Sequence, residues 1–139
     1  MSDANKRLVE RLVDEFWNQG NLAALDELMA PDAAIHLPTG ESVDPAGLKQ
    51  FAVAWRAAFP DWHATTEEFV AEGDRVAERW TGRGTHRGEL QGFPPTGKHV
   101  VAQGSVFYRI DGGRIADFHG QFDVAGLFQQ LGATAAGAR

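Results

Sequence analysis

Three polar side chains occupy every second position near the end of the chain. Asp117, His119 and Gln121 alternate with apolar residues, so on a β-strand they would share one face. A carboxylate beside an imidazole is a pair that can move a proton to or from a bound molecule. The same alternation is typical of a sheet with one solvated face. These side chains therefore either line a cavity or face solvent, depending on how the sheet curls.

A β-hairpin is predicted to position this polar strand. Asp111-Gly112-Gly113 is a turn signal, because glycine reaches positive φ without a Cβ clash. Residues 100–110 are rich in β-branched and aromatic side chains and predict one strand, and residues 114–122 predict its partner. Gln103 lies on the first strand, where pairing would bring it near the polar residues of the second.

The first half of the chain predicts helices. Apolar residues between 8 and 17, among them Phe16, recur at helical spacing. Asp44-Pro45 starts another helix, which carries Trp55 on its apolar side, because Asp caps a helix and Pro fits its first turn. The other predicted elements are a short helix that begins at Asn21, a short strand at 33–37, a hairpin of strands at 62–71 and 75–85, and a last helix at 124–131.

This order of elements predicts an α+β fold. Helices followed by long antiparallel strands pack on one face of a sheet, and long strands in a small sheet must curl. A curled, mostly antiparallel sheet with three main helices across it forms a cone with a pocket at its wide end. We expect Phe16, Trp55 and Trp80 in the wall of this pocket, and a small apolar organic molecule as its ligand.

The composition indicates one packed globular domain. The chain has 139 residues, is 43% hydrophobic and holds four tryptophans, so we predict a single domain over 1–139 with a frayed tail at 133–139. A formal net charge of −6 argues against nucleic acid and anionic membranes as partners. The chain has no cysteine for thiolate chemistry. No secretory signal or membrane span is visible, so we expect a cytoplasmic protein.

Five segments spread along the chain resemble the SnoaL-like polyketide cyclase family of the nuclear transport factor 2-like superfamily. They are Ala58-Phe59-Pro60-Asp61, Gly84-Thr85-His86-Arg87-Gly88-Glu89, Gly92-Phe93-Pro94-Pro95-Thr96-Gly97, Tyr108-Arg109-Ile110-Asp111-Gly112-Gly113-Arg114-Ile115 and Gln129-Gln130-Leu131-Gly132. The resemblance covers nearly the whole chain and implies the cone-shaped α+β fold. It says less about function, because one scaffold can carry many activities.

The resemblance also implies a reaction without metal or organic cofactor. In the family's cyclases an acidic residue on a late strand removes a proton beside a carbonyl, so we predict a cyclase or isomerase that acts on a small apolar carbonyl compound. We assign the general base to Asp117, with His119 as its partner or as the acid that polarises the carbonyl. Many relatives carry Trp at the second position, so His119 is a departure towards polarity. We expect Gln103, Gln121 and His86 to contact the substrate.

Two other functions stay open. The domain either binds a small ligand without catalysis or is a hydrolase similar to the epoxide hydrolases of the same superfamily. Those hydrolases usually pair an arginine with two acids, which Asp117 and His119 do not reproduce. Members of the superfamily often dimerise through the outer face of the sheet, so we also predict a homodimer, in which apolar residues of 116–122 would be covered if they lie outside the cone.

Four further polar residues have a structural interpretation beside a functional one. His86 lines the pocket mouth or pins the proline-rich loop by a hydrogen bond. Glu78 lies on the same face of its predicted strand as the apolar residues Val76 and Trp80. Inside the cone its carboxylate would need a cationic or hydrogen-bonding partner, whereas outside it would be solvated, and we interpret it as solvated. Asp123 is most simply the N-cap of the last helix, and His36 a structural histidine. The five histidines show no metal-ligand spacing, so no metal site is predicted.

Overall fold

The computed structural model describes residues 2–132 and shows four helices and six strands in that range. The predicted tail at 133–139 lies outside the described residues. In chain order the elements are α1 (Ser2–Arg11), which continues as a π-helical segment (Leu12–Asn18), α2 (Ala24–Leu28), β1 (Met29–His36), β2 (Ser42–Val43), α3 (Pro45–Ala58), β3 (His63–Glu72), β4 (Arg75–Thr85), β5 (His99–Asp111), β6 (Arg114–Phe122) and α4 (Val124–Gln130).

The six strands form one curled sheet in the order β2-β1-β6-β5-β4-β3. Neighbouring strands are antiparallel except β1 and β6, which are parallel. The register shifts between Thr66 and Glu68 on β3 and between Arg109 and Ile110 on β5, and such irregularities increase the local twist of a sheet. The predicted α+β fold with a mostly antiparallel sheet is therefore confirmed.

Both capped helices begin where the sequence predicts. The Asp44 side chain accepts a hydrogen bond from the backbone N–H of Gly47 over 2.9 Å at the start of α3. Asp123 accepts one from the N–H of Gly126 over 2.8 Å at the start of α4. Each carboxylate satisfies an N–H group that has no partner within its helix. The interpretation of Asp123 as a helix cap is thus confirmed.

Strand pairing alters the predicted boundaries near β1. This strand begins at Met29, earlier than predicted, because Met29 pairs with Ile115 of β6. The two-residue strand β2 was not predicted, and it forms by pairing with β1, where Val43 lies opposite Ile35. The short second helix starts later than predicted, at Ala24. In each strand the boundary depends on a partner in another element.

Two apolar clusters hold the helices against the concave side of the sheet. One joins the N-terminal helices to the sheet and contains Phe16 and Ile35, both without solvent exposure. The other surrounds Trp55 at the end of α3 and reaches α4. Phe51 and Trp80 are half-buried and pack against both clusters, so they mark the space between them. None of the helices formed by residues 2–132 has both the length and the apolar composition that a bilayer span requires.

Candidate functional site

A cavity opens between the concave side of the sheet, α3 and the π-helical segment. Its empty space is about 650 Å³ when the open solvent at its mouth is counted. Most of its wall is apolar or aromatic, formed by Val13, Trp17, Leu37, Pro38, Phe51, Trp55, Trp62, Ala64, Trp80, Val106, Phe118, Gly120 and Phe122. Glu78, Tyr108 and Gln121 complete the lining. The cavity is thus an apolar pocket with one carboxylate in its described wall.

Glu78 is the carboxylate in this wall, and only 2% of it is exposed. The hydroxyl of Thr66 donates a hydrogen bond to Glu78 Oε2 over 2.6 Å. The hydroxyl of Tyr108 donates one to Oε1 over 2.9 Å. The three side chains come from three adjacent strands, β3, β4 and β5. The sheet therefore holds both carboxylate oxygens in place with neutral donors.

This environment changes the acidity of Glu78. Desolvation raises the pKa of the carboxyl group above its ordinary value, because burial disfavours the charged form. The hydrogen bonds from Thr66 and Tyr108 oppose this rise, since they stabilise the carboxylate. Burial also raises the pKa of Tyr108 well above its usual value, so this phenol stays protonated and remains a donor. A carboxyl group in such a setting is suited to accept and return a proton.

The interpretation of Glu78 as a solvated residue is wrong. Its position on β4 has the inward parity of Val76, which is fully buried. Burial is tolerated because Thr66 and Tyr108 supply the hydrogen bonds that a carboxylate needs inside a protein. The inward position of Glu78 could have been inferred from the register of β4 and β5, in which Val76 lies opposite Tyr108. A long loop joins these strands, so the sequence did not reveal that register.

Asp117 and His119 lie on the opposite face of the sheet from the cavity. Phe118 and Gly120, which alternate with them on β6, are the residues that line the pocket. Asp117 accepts a hydrogen bond from the guanidinium of Arg109 and is paired with it. The prediction that Asp117 and His119 face the cavity is therefore wrong, because the apolar residues of this strand are the ones that the cone buries.

The two outer-face histidines contact each other instead of a substrate. The rings of His119 and His36 stack with centroids 4.0 Å apart and an angle of 5° between their planes. His36 Nδ1 also lies 3.0 Å from the hydroxyl of Ser42 on β2. Neither histidine lines the cavity. The interpretation of His36 as a structural histidine agrees with these contacts.

The remaining predicted substrate contacts divide between the two faces. Trp55 and Trp80 line the cavity, as predicted. Phe16 is fully buried but belongs to the core beside the cavity, and its neighbour Trp17 reaches the wall instead. Gln103 is exposed on β5 and does not border the pocket, so the prediction that it contacts the substrate is wrong. Gln121 borders the cavity although it is an exposed residue.

His86 is fully buried outside the cavity, where it holds the proline-rich loop. Its Nδ1 accepts a hydrogen bond from the backbone N–H of Thr96 over 3.2 Å and lies 3.1 Å from the Thr96 hydroxyl. Phe93 of the same loop stacks on the imidazole. Burial lowers the pKa of His86 and keeps it neutral, as an acceptor must be. The structure therefore supports the interpretation in which His86 pins the loop, and corrects its assignment to the pocket lining.

Two glycines on the inner face make room for the aromatic wall. A Cβ atom at Gly82 would lie 2.2 Å from the ring of Trp62, and one at Gly104 would lie 2.6 Å from the ring of Trp80. Both positions have inward parity, where any side chain would displace an indole. The sequence alone assigned neither glycine this packing role, because the role depends on aromatic rings from other segments. Among residues 2–132, no group of three or more His, Asp or Glu side chains is arranged to hold a metal ion.

Comparison with known proteins agrees with this architecture. IdmH from Streptomyces antibioticus, a candidate polyketide cyclase, is 35% identical, with a TM-score of 0.83 over 93% of this chain and 99% of that chain. A candidate polyketide cyclase from Acidithiobacillus ferrooxidans is 32% identical, with a TM-score of 0.80 over 92% and 94%. AclR from Streptomyces galilaeus, a candidate hydroxylase, is 27% identical, with a TM-score of 0.85 over 95% and 83%.

The search of curated proteins found no match. The sequence model of one family, described as SnoaL-like polyketide cyclase, matches residues 7–131. This match spans nearly all the helices and strands described above, and the cone-shaped sheet is the one that the resemblance implied. The chain therefore belongs to the SnoaL-like polyketide cyclase family.

Proposed function

We propose that the protein is a cofactor-independent cyclase or isomerase in which Glu78 moves a proton on a small apolar carbonyl compound. The observation that carries this proposal is the buried Glu78 carboxylate, which lies in an apolar cavity and is held by two hydroxyl donors. A carbonyl compound with an apolar body fits such a pocket by desolvation, and its weakly acidic C–H bond then lies beside a base.

The proposed reaction needs only the substrate and the side chain of Glu78. The carboxylate removes a proton from the carbon beside the carbonyl, and the electron pair of that C–H bond moves onto the carbonyl oxygen. The enolate then attacks a second carbonyl of the same molecule, which closes a ring, or takes a proton back at another carbon. The proton held by Glu78 returns to the new alkoxide or to that carbon, so the enzyme is restored.

Tyr108 and Thr66 are positioning residues in this proposal. Their hydroxyls fix the two oxygens of Glu78, so the carboxylate keeps one orientation in an otherwise apolar wall. They also oppose the rise in the pKa of Glu78 that desolvation causes, because both hydrogen bonds stabilise the charged form. The aromatic wall excludes water, which would otherwise compete for the carboxylate and the enolate.

The alternatives have less support. A hydrolase of the predicted type would need an arginine and two acids in the cavity, whereas the lining formed by residues 2–132 holds Glu78 and no arginine. The pair of Arg109 and Asp117 lies on the outer face. A ligand carrier needs no convergent polar groups, so the meeting of Glu78, Thr66 and Tyr108 favours an enzyme.

Proton exchange of a simple ketone tests the proposal without the natural substrate. In D₂O, the wild-type protein should accelerate exchange of the methyl protons of 2-acetylnaphthalene, followed by ¹H NMR. Glu78→Gln should lower the protein-dependent rate about 10²–10⁴-fold, the usual cost of losing a positioned base. Asp117→Asn removes a carboxylate from the outer face and should keep the rate within about threefold. Exchange by Glu78→Gln at the wild-type rate would refute the role of Glu78.

The homodimer and the cytoplasmic location stay predictions. The apolar residues Phe118, Gly120 and Phe122 line the cone, so they do not themselves require a partner. On the outer face, Phe107 is 62% exposed and Val70 is 61% exposed, which leaves apolar area for a second copy. Light scattering should report twice the chain mass of 15.1 kDa. A monomer at micromolar concentration would contradict the dimer.

A further inference from the structure

Removal of a proton by Glu78 creates a second electrostatic requirement inside the cavity. Negative charge develops on the carbonyl oxygen of the substrate, and in an apolar site this charge needs a hydrogen-bond donor that faces it. The hydroxyl of Tyr108 is not free for this role, because it already donates to Glu78 Oε1. Apart from the exposed Gln121, the side-chain N–H donors in the described wall are the indole groups of Trp17, Trp55, Trp62 and Trp80.

The indole N–H of Trp62 is a buried donor without a protein acceptor. Only 5% of Trp62 is exposed, yet no residue among 2–132 accepts a hydrogen bond from its Nε1 atom. Within the same range, His86 Nε2 is the only polar side-chain atom of a non-exposed residue that is both sealed from solvent and unbonded. Trp62 Nε1 is therefore open to a space that another molecule can reach. The other three indoles share this property, so the direction of the N–H bond decides among them.

Packing on two glycines of β4 fixes the direction of the Trp62 ring. A Cβ atom placed at Gly84 would lie 3.1 Å from Cε3 of Trp62, whereas one placed at Gly82 would lie closest to Cζ2. The six-membered ring thus runs along β4 from Gly84 towards Gly82. In an indole the N–H bond is nearly parallel to the line from Cε3 to Cζ2. The N–H group therefore points further along the inner face of β4, towards the level of Trp80.

The carboxylate of Glu78 lies close to that level of the sheet. Thr66, which donates to Glu78 Oε2 over 2.6 Å, is paired with Trp80 in the register of β3 and β4. Ala64 is paired with Gly82, two residues away on the same face, and borders the cavity with only a methyl group. Two residues of a strand span about 6.5–7 Å. The N–H group is therefore directed at the carboxylate along a short stretch of wall that Ala64 leaves open.

The ring of Trp80 leans away from this stretch. A Cβ atom at Gly104 of β5 would lie 2.6 Å from Cζ2 of Trp80, so this indole covers β5 rather than β3. The rings of Trp62 and Trp80 meet edge to face, with centroids 6.2 Å apart and planes at 73°. An aromatic face is a weaker acceptor than a carbonyl oxygen. A bound carbonyl group would therefore be the better partner for the Trp62 N–H.

The separation between donor and base suits an enolisable ketone. The carbonyl oxygen and the carbon that loses the proton are two bonds apart in such a molecule. A hydrogen bond of about 2.9 Å at the oxygen and a reacting contact of about 3–3.5 Å at the carbon extend this unit at both ends. One ketone can therefore contact Trp62 and Glu78 at the same time.

We propose that Trp62 is a catalytic residue whose indole N–H donates a hydrogen bond to the substrate carbonyl oxygen and stabilises the enolate. The proton leaves the carbon for Glu78, the electron pair of the C–H bond moves onto the oxygen, and Trp62 keeps its own proton throughout. This inference rests on the proposed function, because Glu78 generates the enolate. It adds an orientation, with the carbonyl oxygen towards Trp62 and the reacting carbon towards Glu78.

Two probes that differ only at the carbonyl test this contact by NMR. 2-Acetylnaphthalene carries the oxygen, and 2-isopropenylnaphthalene carries a CH₂ group in its place. The indole N–H resonance of Trp62, assigned by its loss in Trp62→Phe, should move further downfield with the ketone than with the alkene. The other three indole resonances are the internal control, because the naphthalene ring affects them similarly in both complexes. An equal response of Trp62 to both probes, or a ketone that does not bind, overturns the proposal.

Proton exchange in D₂O tests the catalytic role. Replacement of Trp62 by 3-benzothienylalanine exchanges the N–H group for a sulfur atom and keeps the shape of the ring. The exchange rate should fall about tenfold, as expected when a hydrogen bond to a charged oxygen is lost. The affinity for the alkene should stay within about twofold. Exchange by this variant at the wild-type rate would overturn the proposal, even if Trp62→Phe fails to fold.

The two measurements separate this inference from the proposed function. Glu78→Gln should lose proton exchange and keep the selective shift of the Trp62 resonance, because binding needs no proton transfer. A missing shift overturns the role of Trp62 even when Glu78 proves to be the base. Absence of exchange by the wild-type protein refutes the proposed function, and the catalytic role of Trp62 with it.

Discussion

Glu78 and Asp117 are carboxylates on opposite faces of the same sheet, and they differ in solvent exposure, in hydrogen-bond partners and in the charge of those partners. Glu78 is 2% exposed and bonded to two neutral hydroxyls. The side chain of Asp117 is 26% exposed and paired with the cation of Arg109. Burial raises the pKa of Glu78, whereas the Asp117 pair raises the pKa of Arg109. One carboxylate is buried with a raised pKa in the wall of the cavity, and the other belongs to a partly exposed ion pair.

This contrast shows that a histidine two residues away on a strand does not indicate which carboxylate borders the cavity. Asp117 has His119 two residues away on the same face, which made it the stronger candidate in the sequence. Glu78 has Val76 and Trp80 at the corresponding positions and looked like an isolated polar residue. Isolation among apolar side chains is, however, the condition that perturbs acidity. The carboxylate that borders the cavity, and that we propose as the base, is therefore the one with the less polar sequence neighbours.

After the loss of Glu78 itself, the largest expected effect comes from removing Tyr108, a hydrogen-bond donor to Glu78. Tyr108→Phe removes the hydrogen bond to Oε1, so the pKa of Glu78 should rise further and the fraction of free base at pH 7 should fall. We expect the exchange rate at pH 7 to drop about 10- to 100-fold, in keeping with a lost hydrogen bond to a charged group. The acid limb of the pH–rate profile should move to higher pH. Thr66→Val should shift it in the same direction, and an unmoved profile would contradict the positioning role.

A smaller effect is expected from packing on the inner face. Gly82→Ala places a Cβ atom 2.2 Å from the ring of Trp62, so the indole or the strand has to move. We expect a loss of about 1–3 kcal/mol in the free energy of unfolding, measured in urea, as is usual for overpacking. Arg83→Ala changes the adjacent, exposed residue and should stay within about 0.5 kcal/mol. Equal effects of the two variants would show that the inner face tolerates the extra methyl group.

The pH dependence of stability should report the raised pKa of Glu78. Because the folded protein raises the pKa of Glu78, the folded state binds this proton more readily than the unfolded chain does. The charged residue therefore costs stability above its folded pKa, and the cost vanishes below the unfolded value of about 4.3. Glu78→Gln should melt higher than wild type at pH 8, with a difference that shrinks towards pH 4. A difference that grew on acidification would contradict the raised pKa.

The smallest effect is expected on the outer face. Asp117→Asn breaks a partly exposed ion pair with Arg109, and such pairs contribute at most about 1 kcal/mol. The change in unfolding free energy should decrease further at high salt, because exposed charges are screened. Urea denaturation at low and high ionic strength measures both. A loss well above 1 kcal/mol that persisted at high salt would indicate that Asp117 is structurally more important than its exposure suggests.

Local sequence signals predicted most of the elements. Asp44-Pro45 and Asp123 cap the helices that they were expected to cap, because a cap needs only residues within the same turn. The Asp111-Gly112-Gly113 turn joins β5 and β6 as predicted, since glycine permits the positive φ found at both glycines. These features depend on a few consecutive residues, so no tertiary information was required.

The sequence by itself determined the alternation on each strand, and the tertiary structure decided which side of that alternation faces the cavity. On β6 the period of two separated Asp117 and His119 from Phe118 and Gly120, but it did not say which set is inside. The helices pack against the apolar side of β6, because removing apolar surface from water is favourable, whereas removing polar surface is costly. Glu78 lies on the same inner face as its apolar neighbours on β4, where hydroxyl groups from β3 and β5 donate hydrogen bonds to its carboxylate. A contact among three strands has no signature in any one of them, so only the assembled sheet could reveal the site.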